Sequence, residues 1–297
     1  MSTATMQNSA APAAHKYNVS FGGVLRSEWR KLFSVRATWI LGAVAVFVML
    51  ALTAGFTAIL ASVAADAGSA EEAAQAGVGL EFSPAMVSQM AAVGLQIAGL
   101  LWATVAVISL AGEYGTHSAV STFSAVPRRL PVVAAKALIL GVTGFIGGFV
   151  MHILASLVTL LMAGMQGIDS DLGGGVLVSN AALSGLYVVV LTWMGLGAGA
   201  LMKSVPGAIV TVVIFVYVIT SILQGVSFGI DNDVLKWFSL HMPTASLDSL
   251  RPVPEEQASM MGSMTTIEPW DAWVTVAFWG LVPMLLGAWA VKKRAVR

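Results

Sequence analysis

Long apolar runs alternate with short polar connectors along this chain. Six runs, at about 38–63, 85–111, 137–165, 179–202, 207–229 and 272–291, contain no Asp, Glu, Lys or Arg. A membrane helix needs about 20 apolar residues to cross about 30 Å of hydrocarbon. A charge at the bilayer centre costs about 2.5–3.5 kcal/mol on insertion scales, so uncharged runs of this length predict six spans. Helix punctuation falls at their ends. Ser83-Pro84 offers an N-cap followed by a first-turn proline, and Pro206 does the same for the fifth run. The fourth and fifth runs are separated by Lys203-Ser204-Val205-Pro206, which predicts an antiparallel hairpin.

Composition agrees with the pattern. The chain is 57% hydrophobic and 10% charged, against about 25% charged in soluble domains, and its mean hydropathy is +0.84. The fold class is therefore an all-α polytopic membrane protein. There is no cysteine, which excludes disulfides, thiol nucleophiles and thiolate metal sites.

A formal net charge of zero conceals a strong asymmetry. Segments 1–37, 112–136, 203–206 and 292–297 hold 13 of the 15 Lys and Arg residues. The alternate segments 64–84, 166–178 and 230–271 hold Lys236 and Arg251, with 13 of the 15 acidic residues. The positive-inside rule then puts both termini and the connector 112–136 in the cytoplasm. Residues 1–19 are small and polar and are expected to be a disordered cytoplasmic tail. The first apolar run begins far from the start and exceeds the core of a cleaved signal, so it reads as a retained anchor.

Several motifs imitate chemistry. Gly197 to Ser204 nearly spells a phosphate-binding loop, but Met202 stands where the last glycine is needed and no strand precedes it. Gly195-Leu-Gly-Ala-Gly199 resembles a dinucleotide fingerprint, yet inside a membrane helix it reads as small-residue packing, as do Gly144 and Gly148. No catalytic residue, cofactor, metal site or nucleic-acid partner is expected. Met260, Met261 and Met264, near His241-Met242, could hold Cu(I) through soft thioethers, or form an apolar loop on the membrane. Ser69 to Glu72 resembles a capping box for a short external helix.

Two polar groups lie at depth, Gln96 in the second run and His152 in the third. Either could line a pathway. A histidine hydrogen-bonded to a neighbouring helix is the competing reading. No run contains an Asp or Glu, which argues against a proton- or sodium-coupled carrier; that reading would need His152 to titrate during transport.

The cytoplasmic side carries two further motifs. In residues 24–36, Val24, Leu25, Trp29, Leu32 and Phe33 fall on one side at helical spacing, flanked by Arg26, Arg30, Lys31 and Arg36. This predicts an interfacial helix over 20–37 facing anionic lipid. The connector 112–136 is long for a link between spans. Ser118 to Val126 can form two helical turns stopped by Pro127, with Arg128-Arg129 at the headgroups and Pro131 starting the next helix. Region 230–271 is also longer than a turn, and Val234, Leu235, Trp237, Phe238 and Leu240 suggest an interfacial or re-entrant helix at the outer exit.

"LRSEWRKLFSVRATW" (25–39) and "GEYGTHSAVSTFSAVPRRLPVVAAKAL" (112–138) resemble the N-terminal signature and first cytoplasmic loop of type-2 ATP-binding-cassette (ABC) transporter permease subunits, particularly actinobacterial ones. The resemblance spans residues 20–297, although its specific motifs occupy about 40 residues. It implies a six-span permease domain in a bacterial plasma membrane, paired with an identical or paralogous permease subunit and a separate ABC ATPase, and working as an exporter. The ATPase would dock on the loop. By position, Glu113 and Tyr114 brace it, Ser118, Thr122, Phe123 and Val126 lie on the docking helix, and Pro127, Arg128 and Arg129 close it. Glu28, Trp29, Arg30, Lys31 and Arg36 belong to the interfacial helix, with Glu113 expected to pair with Arg30 or Lys31. Gly115, His117 and Val120 depart from the family's usual Arg, Gly and Arg, a loss of two basic groups that bears on partner choice. The alternative is a membrane anchor, assembly factor or facilitator working without ATP.

Overall fold

The computed structural model describes residues 20–66, 82–115, 129–230, 232–252 and 267–293. An amphipathic helix α1 (Phe21–Ser34) leads into span one, α2 (Arg36–Asp66). Ser20 caps α1, its Oγ accepting the Gly23 N–H at 3.2 Å. Span two is α4 (Leu95–Gly115), preceded by α3 (Pro84–Ala92), and span three is α5 (Leu130–Gly164). Span four is α6 (Gly174–Met202), and span five runs through α7 (Val205–Val213), a π-helical segment Ile214–Ile219 and α8 (Thr220–Gly229). Short helices α9 (Asp233–Leu240) and α10 (Pro243–Asp248) precede span six, α11 (Pro269–Lys293). Among the described residues six helices are thus long and apolar enough to cross a membrane, and the protein is an all-α, multi-pass membrane protein.

Most helix ends follow the sequence signals. Ser83 caps α3 by accepting the Met86 N–H at 3.3 Å, and Ser204 caps α7 by accepting that of Gly207 at 3.4 Å. Lys203 makes the turn between spans four and five with φ 53°, its N–H donating to the Gly199 carbonyl. Two elements differ from the hydropathy pattern. The second apolar run is broken at Val93-Gly94, where Gly94 lies on the backbone of Met49 and a Cβ would come within 2.5 Å of the Met49 Cα. Span three starts at Leu130 rather than near 137, with Pro131 in its first turn. Lys136 therefore lies inside a helix and not in a connector.

Span four is the centre of the bundle. Of its most apolar window 56% is buried, against 17% for span five. Gly197 sits directly on the Pro283 carbonyl of span six, a contact that leaves no room for a Cβ. Backbones meet there because lipid-solvated helices associate through close packing rather than hydrophobic exclusion. The fingerprint-like glycines are packing residues. Indole N–H groups add specific ties: Trp193 donates to the Ala137 carbonyl at 3.0 Å, and Trp102 to that of Leu140 at 3.3 Å.

Aromatic side chains mark both ends of the bundle. Trp29, Trp39 and Trp289 are exposed at the end carrying α1, and Trp237, Trp270 and Trp273 at the opposite end. Their placement matches the belts where amphipathic rings sit at headgroup depth. We call the α1 end the basic end and the other the far end.

Candidate functional site: a buried ionic junction and a polar ladder

At the basic end, α1 lies across the mouths of spans two and three. Its buried stripe is Val24, Glu28 and Leu32, at i, i+4 and i+8. Leu25 and Phe33 are half-buried as expected, but Trp29 turns outward and packs on Phe33 with ring centroids 4.6 Å apart. The stripe thus carries a carboxylate at its centre. Burying a charge is costly unless it is paired and hydrogen-bonded, and Glu28 is both.

Lys136, from two turns inside span three, meets it. Its Nζ lies 2.6 Å from Glu28 Oε2, 2.9 Å from Glu113 Oε1 and 2.8 Å from the Ser109 carbonyl oxygen, which uses all three ammonium protons. Lys31 Nζ adds contacts of 2.7 Å to Glu28 Oε1 and 3.2 Å to Glu113 Oε1. Glu28 and Lys136 are each 4% exposed and Glu113 11%. Two cations and two anions, from α1, span two and span three, form a neutral junction. Burial alone would pull the Lys31 ammonium below its ordinary pKa, but its hydrogen bond to Glu28 and the charges of Glu113 and Glu28 outweigh this and raise it. Its stabilising effect is whole below the ordinary lysine value of 10.5 and fades as pH rises through the raised one.

The expected pairing of Glu113 is present, with Lys31. Lys136 and Glu28 went unrecognised as members of the junction. The remaining residues of this end have simple placements. Tyr114 lies under the Lys203 ammonium, 5.2 Å from its ring centroid. Arg129 donates to the Val291 carbonyl at 3.3 Å, holding the last turn of span six. Arg30 and Arg36 are exposed. Ser118, Thr122, Phe123, Val126, Pro127 and Arg128 lie outside the described residues, as do Ser69 to Glu72 and Met260, Met261 and Met264.

The second polar assembly enters from the far end. His152 is fully buried, with Nε2 3.1 Å from Ser88 Oγ of α3 and Nδ1 3.0 Å from Ser184 Oγ of span four. The Arg251 guanidinium, just beyond α10, donates to Ser184 Oγ at 3.1 Å and to Asn180 Oδ1 at 3.2 Å. A polar ladder therefore runs from a far-end segment through Ser184 and His152 to Ser88. His152 is a hydrogen-bonded node between helices within the subunit. Arg251, one of two basic residues on the acidic side, is the group that sequence reading passed over. Replacing Arg251 with Ala leaves Asn180 and Ser184 short of a donor, and an unsatisfied buried polar group costs about 1–3 kcal/mol. The expected result is a lower unfolding temperature in detergent and faster hydrogen exchange across α9 and α10, with Arg251→Lys restoring only part.

Gln96 differs from His152. It is exposed on span two, and its main-chain carbonyl accepts the Tyr217 hydroxyl of span five. Ser221 and Gln224, one and two turns beyond Tyr217, are exposed as well. His241 is structural: Nδ1 lies 2.7 Å from the Trp237 carbonyl, Nε2 3.0 Å from Asp271 Oδ2, and the ring stacks on Trp237. The helix expected near 234–240 is α9, with Val234, Trp237 and Phe238 facing outward. No known protein-family model matches the chain, and no curated protein does.

Proposed function

We propose that this chain is the membrane permease subunit of an ATP-driven transporter of the type-2 ABC class, an exporter whose ATPase is a separate protein docking on the connector 112–136. The observation that carries this reading is the ionic junction. Glu113 in the last turn of span two and Lys136 in the second turn of span three flank the described ends of that stretch and share one buried cluster with Glu28 and Lys31 of α1. A force applied to the connector thereby reaches α1, span two and span three together. Buried ion pairs are costly relative to apolar packing and are best justified where geometry must be fixed. A plain linker has no need of one.

A second copy, identical or paralogous, would cover spans two and five. Polar side chains facing lipid are rare at depth, yet Gln96, Ser221 and Gln224 are exposed on two spans tied by the Tyr217 hydroxyl, which donates to the Gln96 main-chain carbonyl. Between two subunits they would line a path for an amphipathic cargo, with α9 at its far mouth. The basic end would face the cytoplasm of a bacterial plasma membrane. ATP would be hydrolysed by the partner and not by this chain.

Co-purification in mild detergent with the ATPase encoded beside it tests the reading. Phe123→Asp with Arg128→Ala alters the connector and spares Arg129, which holds span six. Wild type is expected to retain the ATPase and the variant to lose it, at equal membrane abundance. Equal retention, or no association at all, would instead favour an anchor or facilitator that works without ATP.

A further inference from the structure

Spans one, two and three meet inside the bundle and part toward its basic end. At Gly42 the first span closes on the Trp102 indole of the second, where a Cβ would lie 3.8 Å from the ring. The Trp102 N–H in turn holds the Leu140 carbonyl of the third. Nearer the basic end a cavity of about 470 Å³ remains between α1 and the three spans. Its larger wall members are apolar: Leu32 of α1, Val35 at the hinge, Val105 and Ile108 of span two, and Ile139 and Leu140 of span three.

Depth follows from the helices. Gly112 and Val105 both line the cavity, and the seven residues between these levels span about 10 Å of helix. That is about two-thirds of one leaflet's share of a roughly 30 Å core. The rim lies among the headgroups. Val35 in the wall is 44% exposed. Trp39, next to Thr38 of the wall, is 62% exposed, with its indole N–H on the Phe33 carbonyl at 2.9 Å. Indoles collect at headgroup depth. The cavity is therefore a slot that starts at the membrane surface and runs inward alongside the hydrocarbon.

Its polar wall groups are already engaged. Lys136 has spent its three protons, and both oxygens of Glu28 accept from lysines. Glu113 Oε1 takes both lysines, and its Oε2 is sealed from the cavity. Ser109 Oγ donates to the Ala106 carbonyl at 2.8 Å and Ser34 Oγ to that of Lys31 at 2.9 Å. A buried water needs two to four polar partners, and a charged guest needs an opposite charge not already matched. A neutral junction in an apolar wall supplies neither set. Left empty, the wall atoms would forgo their dispersion contacts. Lipid hydrocarbon at the same depth can fill the space without stripping water from any polar group.

We infer that the cavity is an acyl-chain site. One tail of a membrane phospholipid enters past Val35, lies along Ile108, Ile139 and Leu140, and stops above Trp102, while its headgroup stays at the membrane surface. A free fatty acid fits less well, because the paired junction leaves no cation for its carboxylate. The site does not depend on the transport reading. A tail held there keeps water off the ion pairs, which attract more strongly in a low-dielectric surrounding, and props α1 against the spans.

Photolabelling of the whole protein in vesicles tests this, using a small fraction of phosphatidylcholine with a diazirine midway along one tail. Val105 and Leu140 are 3% and 2% exposed, whereas Val44 and Val142, on spans one and three, face outward. A tail in the cavity is expected to label Val105 and Leu140 at least as heavily as Val44 and Val142. Exchanging the choline head for glycerol should leave the cavity labels unchanged. Ile108→Trp puts a larger side chain into the space and should cut the cavity labels about 10-fold with the outward ones kept. Labels confined to Val44 and Val142, cavity labels that survive Ile108→Trp, or cavity labels given by one headgroup only or only by a diazirine fatty acid would each overturn the assignment. If Ile108→Trp does not fold, the wild-type comparison decides by itself.

Discussion

Replacing Lys136 with Met is expected to be among the most damaging single changes in the protein. Methionine matches the lysine stem in length, so little packing is lost. What remains is the pair Glu28 and Glu113, facing each other in a buried site with only the half-exposed Lys31 between them. Removing one partner of a buried ion pair costs about 3–5 kcal/mol, because the other charge is stranded. That is a large share of the about 5–15 kcal/mol that separates folded from unfolded in ordinary domains. The variant should show a sharply lowered unfolding temperature and poor recovery from membranes. The double variant Lys136→Met with Glu28→Gln restores a balance of one cation and one anion and should recover much of the loss. Equal damage in single and double variants would point to packing rather than charge.

Gly197→Leu is expected to rival it by a steric route. The neighbour of Gly197 is the backbone of Pro283, which has no rotamer to change, so span six must move as a body. Overpacking costs about 1–3 kcal/mol where side chains can shift, occasionally more, and backbone against backbone belongs at the upper end. Gly55→Leu in span one supplies the control, since that glycine has open space around it. Folded yield by fluorescence-detected size exclusion should fall steeply for Gly197→Leu and stay near wild type for Gly55→Leu. Comparable yields from the two would refute a tight contact between spans four and six.

The membrane architecture was legible because hydrocarbon imposes one rule on every residue of a span. Apolar runs, serine caps and first-turn prolines therefore marked the six helices, and the charge pattern separated the two ends. The Lys31–Glu113 pair was also within reach, since two opposite charges were isolated on neighbouring segments. Lys136 was not. The hydropathy pattern started span three after it, which hid its place on the inner face two turns into the helix. Arg251 looked like a minor exception in an acidic region, because nothing local shows that a far-end segment folds back onto Asn180 and Ser184. The partners of His152 lie 64 and 32 residues away, and periodicity says nothing about distances of that kind. The close approach of Gly94 to Met49 depends on where span one passes, which is likewise a tertiary fact.

The π-helical segment of span five gives that helix a screw thread with a movable step. A π turn holds one residue more than an α turn, and such segments tend to occur at functional positions. Absorbing the step into plain α-helix turns everything beyond it by about 100° and changes its rise by about 1.5 Å, with the helix unbroken. Tyr217 lies inside the step and is fastened to Gln96. The half of span five nearest the basic end can then keep its setting while the half bearing Ser221 and Gln224 rotates, so a single helix has two independent dials joined at one tyrosine.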